Sequence, residues 1–149
     1  MNGRPIQSRR LEPIQRLAQG REDDAARRFA ESQRALERQE TQLREMQRYL
    51  DEYNAGPAGG VLTPSLLANR EAFLRQLAEA LRWQAGAVND ARNRLELARE
   101  QWLGRHRDTD VVERLLQRSQ GHERQAQERR AQRELDEFAQ RLPQPGAVG

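Results

Sequence analysis

Residues 54–64 read NAGPAGGVLTP, and this stretch decides the fold because it is dense in glycine and proline between two long segments of helical pattern. Glycine and proline at this density interrupt a helix and favour a turn. Thr63 is suited to cap the start of a second helix, and Pro64 suits its first position, where the missing N–H costs nothing. The sequence therefore predicts two helices joined by a short connection.

Apolar side chains recur every seven residues on both sides of this turn, which is typical of a coiled coil. A short loop between two such helices favours antiparallel packing. The predicted fold is therefore all-α, a long antiparallel two-helix coiled-coil hairpin in which the second helix extends beyond the first. The residues predicted to form the seam between the helices are Phe29, Leu36, Leu43, Leu74, Leu81, Val88, Leu95 and Trp102.

The pattern also predicts boundaries within a single domain. A flexible N-terminus is expected at 1–10, helix 1 at 11–53, the loop at 54–64, helix 2 at 65–142 and a flexible C-terminus at 143–149.

Folding the sequence about Gly60 predicts which residues face each other. Large side chains then lie opposite small ones, as a uniform distance between the helices requires. The predicted pairs include Phe29 with Ala91, Leu36 with Gln84, and Leu11 with Thr109. In this register helix 1 leaves helix 2 uncovered from Val112 onward.

The uncovered end of helix 2 contains QRELDEFAQR at 132–141. Leu135, Phe138 and Leu142 share one helix face there, while the heptad positions that would continue the seam are polar. Two prolines, Pro143 and Pro145, are expected to end the helix. We therefore expect this apolar stripe to contact another protein.

Composition excludes several classes of protein. The 149 residues are 33% charged, 36% hydrophobic and 5% aromatic, and the mean hydropathy is −1.07. This is too little apolar material for an ordinary globular core, but it suits long helices. Cysteine is absent, which excludes disulfides and thiolate chemistry. No run reaches the ~18 apolar residues that span a bilayer, so a cytoplasmic location is expected.

Residue patterns that carry catalysis or bind a cofactor or metal are missing from the sequence. His106 and His122 have no acidic cluster beside them and are interpreted as solvated. Asp23 and Asp24 are adjacent, so on a helix they point in different directions. AGPAGG lacks the lysine of a phosphate-binding loop. The sequence therefore predicts a protein that is not an enzyme and has no cofactor.

Three aromatic residues, Tyr49, Tyr53 and Phe73, flank the turn. They could simply close the end of the hairpin. Alternatively, because two helices cover only part of each ring, the exposed aromatic surface could bind a partner.

Four segments together resemble the flagellar export protein FliJ family of the bacterial type III export system. They are LAQGREDDAAR (17–27), YLDEY (49–53), FLRQLAEAL (73–81) and ELDEFAQR (134–141). The resemblance implies a coiled coil similar to the paired terminal helices of the rotary ATPase gamma subunit. It also implies a non-enzymatic central stalk that inserts into the ring of the hexameric export ATPase FliI and promotes ring assembly and ATP hydrolysis.

The same resemblance implies contact with the export gate protein FlhA and with export chaperones and their substrates, and a further role as a chaperone of those substrates. Neither nucleic-acid binding nor membrane insertion is expected. The expected location is cytoplasmic, peripherally attached to the inner membrane at the flagellar base. By position, the gate-binding residues would be Gln42, Met46, Tyr49, Tyr53, Phe73, Leu77, Ala80 and Gln84. Expected exposure suggests Leu11, Ile14, Leu17, Leu135 and Phe138 as contacts with the ATPase ring.

Two other interpretations stay open from the sequence. The first is the equivalent stalk of a virulence-type (injectisome) secretion system, which would have the same fold. The second is a coiled coil that binds nucleic acid, because all 26 basic residues are arginine. Against this second interpretation, the arginines are interleaved with 23 acidic residues and do not form one basic stripe.

Overall fold

The computed structural model describes residues 7–56 and 63–143, which form two helices, α1 (Ser8–Ala55) and α2 (Pro64–Arg141). The helices pack against each other, so the prediction of an all-α hairpin is confirmed. Helix α1 begins at Ser8, and the prediction of a flexible segment up to residue 10 is therefore wrong for Ser8–Arg10. Gly60, Pro145 and the outermost residues at both termini lie outside the described residues.

Contacts divide the chain into two compact units. Among the described residues, the terminal unit comprises 7–22 and 105–143, and the loop unit comprises 23–56 and 63–104. That the whole chain forms a single domain stays a prediction.

The ends of the helices that flank the turn are capped as the local sequence predicts. The Oγ1 atom of Thr63 accepts a hydrogen bond from the N–H of Leu66 at 3.3 Å, and Pro64 is the first helical residue. At the end of α1, Gly56 has a φ of 62°, which favours glycine, and its N–H donates to the carbonyl oxygen of Tyr53 at 3.2 Å. Local chemistry therefore fixes where both helices meet the loop.

The contact between the helices of the loop unit buries only small side chains almost completely. Its buried residues are small, namely Ala25, Val88, Ala91 and Ala98. The predicted seam residues lie on this face, with Val88 buried and the other seven half-buried. The rings of Phe29 and Trp102 stack across this face, with centroids 6.0 Å apart and planes 10° apart.

The contact between the helices is more polar in the terminal unit. Leu11, Thr109 and Ser119 are buried there. The hydroxyl oxygen of Thr109 lies 3.3 Å from the carbonyl oxygen of Ala18 and 3.0 Å from that of Arg105, so its proton has acceptors within reach and the buried hydroxyl is satisfied.

The predicted register is wrong. Thr109 meets Ala18 instead of Leu11, one heptad further along α1. Gln84 meets Gln39 instead of Leu36, and Phe29 stacks on Trp102 instead of on Ala91. Because the apolar pattern repeats every seven residues, pairings displaced by a heptad satisfy it almost equally well. Individual contacts, such as the stack of Phe29 on Trp102, distinguish between them.

The uncovered end of α2 is consequently shorter than predicted. The N–H and hydroxyl of Ser8 donate to the carboxylate of Glu123, at 2.9 Å for the N–H and 2.7 Å for the shorter hydroxyl contact. Pairing with α1 therefore reaches Glu123, and the prediction that it ends before Val112 is wrong. Every residue at 127–143 is exposed, and we call 127–141 the overhang.

Candidate functional site

Three aromatic side chains of the loop unit form one cluster, which we call the aromatic surface (Tyr49, Tyr53 and Phe73). The rings of Tyr53 and Phe73 have centroids 4.6 Å apart, and Tyr49 meets Phe73 edge-on at 6.4 Å. Tyr53 and Phe73 are half-buried, whereas Tyr49 is 53% exposed. The cluster therefore does both of the things considered from the sequence: two rings pack across the helices, and the third leaves aromatic area open.

Arg70 contacts both the aromatic surface and the C-terminal end of α1. Its guanidinium group lies 5.9 Å from the centroid of the Tyr53 ring, in the geometry of a cation–π contact. The same group donates to the carbonyl oxygens of Tyr53 at 3.4 Å and Asn54 at 3.3 Å. These are carbonyls of the last helical turn, which lack partners within the helix. Arg70 therefore has two roles: it caps the C-terminal end of α1, and it holds the Tyr53 ring in place.

The eight residues predicted to bind the export gate all lie in the loop unit, on α1 and α2. Gln42 and Tyr49 are exposed, and the others (Met46, Tyr53, Phe73, Leu77, Ala80 and Gln84) are half-buried. The amide nitrogen of Gln84 donates to the backbone oxygen of Gln39 at 3.0 Å and to its side-chain oxygen at 2.8 Å. Gln84 therefore holds the helices together, and its role in binding stays a prediction.

Exposed apolar side chains of both helices line a groove on one side of the terminal unit. Ile14, Leu17 and Val111 line this groove, and Leu115 is exposed one helical turn beyond Val111. We call these four residues the apolar flank. The rest of the groove around Ile14, Leu17 and Val111 is lined by Ala18, Arg21, Arg105, Asp108 and Val112. Sequence reasoning identified Ile14 and Leu17 but missed Val111 and Leu115, because these two lie outside the heptad positions. Their spacing of four, one helical turn, was the available signal.

The remaining residues predicted to contact the ATPase ring behave differently from one another. Leu11 is only 4% exposed, because it packs between the helices of the terminal unit. Leu135 and Phe138 are each 63% exposed on the overhang. They do not continue the contact with α1, because the heptad positions that would do so are occupied by Arg130 and Arg133. This stripe therefore faces away from the path of α1.

His106 of α2 contacts Glu22 of α1 within the terminal unit. Nδ1 of His106 lies 2.7 Å from Oε1 of Glu22, so His106 is not simply solvated as the sequence suggested. The hydrogen bond from His106 lowers the pKa of Glu22 below its ordinary value, against the opposing effect of burial, and a hydrogen bond from Thr109 adds to the lowering. In the described part of the chain, no group of three or more histidine or acidic side chains is placed to hold a metal ion.

Comparison with known proteins identifies the family. The model of the family "Flagellar FliJ protein" matches residues 7–146, which is nearly the whole chain. The chain belongs to the flagellar FliJ family. The resemblance seen in the sequence is therefore confirmed.

Two curated members of the FliJ family are similar to this chain over most of their length. The flagellar FliJ protein of Salmonella typhi is 27% identical over 134 residues, covering 88% of this chain and 91% of that protein. The flagellar FliJ protein of Escherichia coli strain K12 is 27% identical over 135 residues, with the same coverage. Within the residues that the structure describes, neither helix has a stretch long and apolar enough to cross a membrane.

Proposed function

We propose that this chain is the non-enzymatic central stalk of the flagellar type III export apparatus. In this role it inserts into the ring of the export ATPase FliI, promotes ring assembly and ATP hydrolysis, and links the ring to the export gate protein FlhA. Membership in the FliJ family supports the flagellar export machinery as the place of action. The two flagellar relatives favour this machinery over the injectisome.

The observation that carries the ATPase contact is the exposed stripe on the overhang. Leu135 and Phe138 present apolar area on a single helix whose seam-continuing positions are charged. Exposed apolar groups surrounded by polar residues are typical of protein interfaces. Together with Ile14 and Leu17, they form the proposed contact with the ring. Leu11 contributes by packing between the helices, because its side chain is buried.

The proposed contact with the export gate is the aromatic surface. Tyr49 offers an exposed ring that is held in place by Phe73, so little side-chain entropy is lost when a partner covers it. Aromatic side chains in rigid settings are the residues that most often dominate binding energy. The chain would act without chemistry of its own, by binding one state of the ring more tightly than another. Contact with export chaperones and their substrates, and a position on the cytoplasmic face of the inner membrane, complete the proposal.

ATP hydrolysis by the purified export ATPase, measured with and without this chain, tests the proposal. We expect the chain to raise the hydrolysis rate, and Phe138→Ala to weaken binding to the ring about tenfold, the cost of one well-packed aromatic contact. Gln140→Ala, on the same exposed helix, is the matched control and should keep full stimulation. If the wild-type chain leaves the ATP hydrolysis rate unchanged, the proposed role in the ring is wrong.

A further inference from the structure

Trp83 is an exposed aromatic residue that neither the seam nor the aromatic surface uses. Among the large apolar side chains in the described part of the chain, it has the highest exposed fraction, 77%. Trp102, the other tryptophan, is half-buried against Phe29, so the two indoles lie in opposite surroundings. A tryptophan left in water gives up the large free-energy gain that burial of its ring would supply. Such a residue is therefore a candidate for burial by a partner.

The surface beside Trp83 is a shallow, open depression on one face of α2. Gly86 lies three residues further along the helix, and a Cβ atom built there would meet nothing within 4 Å. Ala87, four residues from Trp83, is also small. The depression so formed is rimmed by Glu79, Arg82 and Asp90, which carry charges of both signs. We call Trp83, Gly86 and Ala87 the tryptophan notch.

The tryptophan notch adjoins the proposed gate contact. Ala80 and Trp83 are three residues apart, so they occupy neighbouring positions on one face of α2, about 4.5 Å apart along its axis. Gln84 follows Trp83 directly and is fixed to Gln39 by its amide. A partner that covers Tyr49 and Ala80 therefore reaches the indole ring without a second docking site.

We propose that the tryptophan notch extends the aromatic surface, and that the export gate protein covering Tyr49 places an apolar side chain against Trp83. This inference rests on the proposed function. The apolar centre with a mixed charged rim matches the anatomy of a protein interface, in which a buried aromatic side chain is surrounded by polar contacts. A nucleic acid would instead require an excess of basic residues around the ring.

A single-tryptophan protein tests this directly. The substitution Trp102→Phe retains an aromatic ring against Phe29 and leaves Trp83 as the one remaining tryptophan. When the purified cytoplasmic part of the export gate is added, we expect the Trp83 emission to move to shorter wavelength as water leaves the ring. We also expect Trp83→Ala to weaken gate binding about tenfold. Leu97→Ala, which truncates another exposed side chain of α2, should leave binding unchanged.

Filling the notch separates binding from stability. The substitution Gly86→Gln places a side chain where the structure leaves open space, and it replaces a poor helix former with a good one. The melting temperature should therefore rise while gate binding falls. Weakened binding in a more stable protein could not be attributed to unfolding, whereas unchanged binding would overturn the inference.

The outcomes distinguish this inference from the proposed function. If the wild-type chain does not bind the gate, the proposed gate contact fails and the inference fails with it. If the chain binds, and Tyr49→Ala weakens binding while the Trp83 emission does not move, the inference alone is wrong. An emission shift that depends on the concentration of the chain without the gate would make a second copy the occupant, and would also overturn the inference.

Discussion

In the loop unit the helices are joined by rings and small apolar side chains, with the Gln84 amide as a polar contact. In the terminal unit Leu11 is buried, but several of the contacts between the helices are hydrogen bonds. Phe29 stacks on Trp102 in the former. In the latter, Ser8 bonds to Glu123 and His106 pairs with Glu22. Both arrangements satisfy a heptad pattern, but apolar burial supplies most of the free energy of folding, and a typical hydrogen bond adds only about 0.5–1.5 kcal/mol. We therefore expect the loop unit to carry most of the stability.

The largest effect that this comparison predicts is from Trp102→Ala. Removing a fully buried aromatic ring costs about 3–5 kcal/mol, and the half-buried Trp102 should cost about 2–3 kcal/mol of unfolding free energy. Urea denaturation followed by circular dichroism measures this. Leu97→Ala, an exposed position of the same unit, is the control and should stay within about 0.5 kcal/mol. Equal losses for the two variants would remove the special role of the Phe29–Trp102 stack.

A smaller effect is expected from acid, and only in the terminal unit. The pKa of Glu22 is lowered in the folded protein, chiefly by the hydrogen bond from His106. The carboxylate therefore stabilises the fold fully above its ordinary pKa of 4.5, and this contribution is lost as the pH falls through the lowered folded value. Glu22→Gln should reduce the unfolding free energy at pH 7 by about 0.5 kcal/mol, the usual size for a partly exposed pair.

The check is the difference between wild type and Glu22→Gln in urea denaturation at several pH values. This difference should be present at pH 7 and shrink steadily once the pH falls below 4.5. A difference that stays constant with pH would mean that the charge of Glu22 plays no part in joining the helices.

The same contrast explains how far the sequence could predict this molecule. The turn, the Thr63 cap and the two helices depend on local chemistry, which a single sequence displays. The register depends on which heptads meet, and a seven-residue repeat leaves that choice to individual contacts such as Thr109 with Ala18. Neither ring stacking nor a hydroxyl bonded to a distant carbonyl can be inferred from spacing alone.

The candidate surfaces show a similar limit. The exposed stripe at Leu135 and Phe138 could be found because it interrupts a charged segment near the end of the chain. Leu11 was wrongly expected to be exposed, because it lies near the start of α1, whereas its side chain is buried. Trp83 and Val111 were missed because reasoning from the heptad repeat examines the seam, and these residues lie outside it. Family resemblance could add the gate residues, but geometry was needed to show that Gln84 also joins the helices.

The smallest effect on stability should come from the overhang. Phe138 is an aromatic residue like Trp102, but it is 63% exposed, so its removal forfeits little burial. Alanine is also the better helix former, which offsets part of the loss. Phe138→Ala should therefore change the unfolding free energy by less than about 0.5 kcal/mol and leave the helical circular dichroism signal intact. A loss above about 1 kcal/mol would mean that the ring is covered within the folded chain, and Phe138 would then be a packing residue and not a surface held ready for a partner.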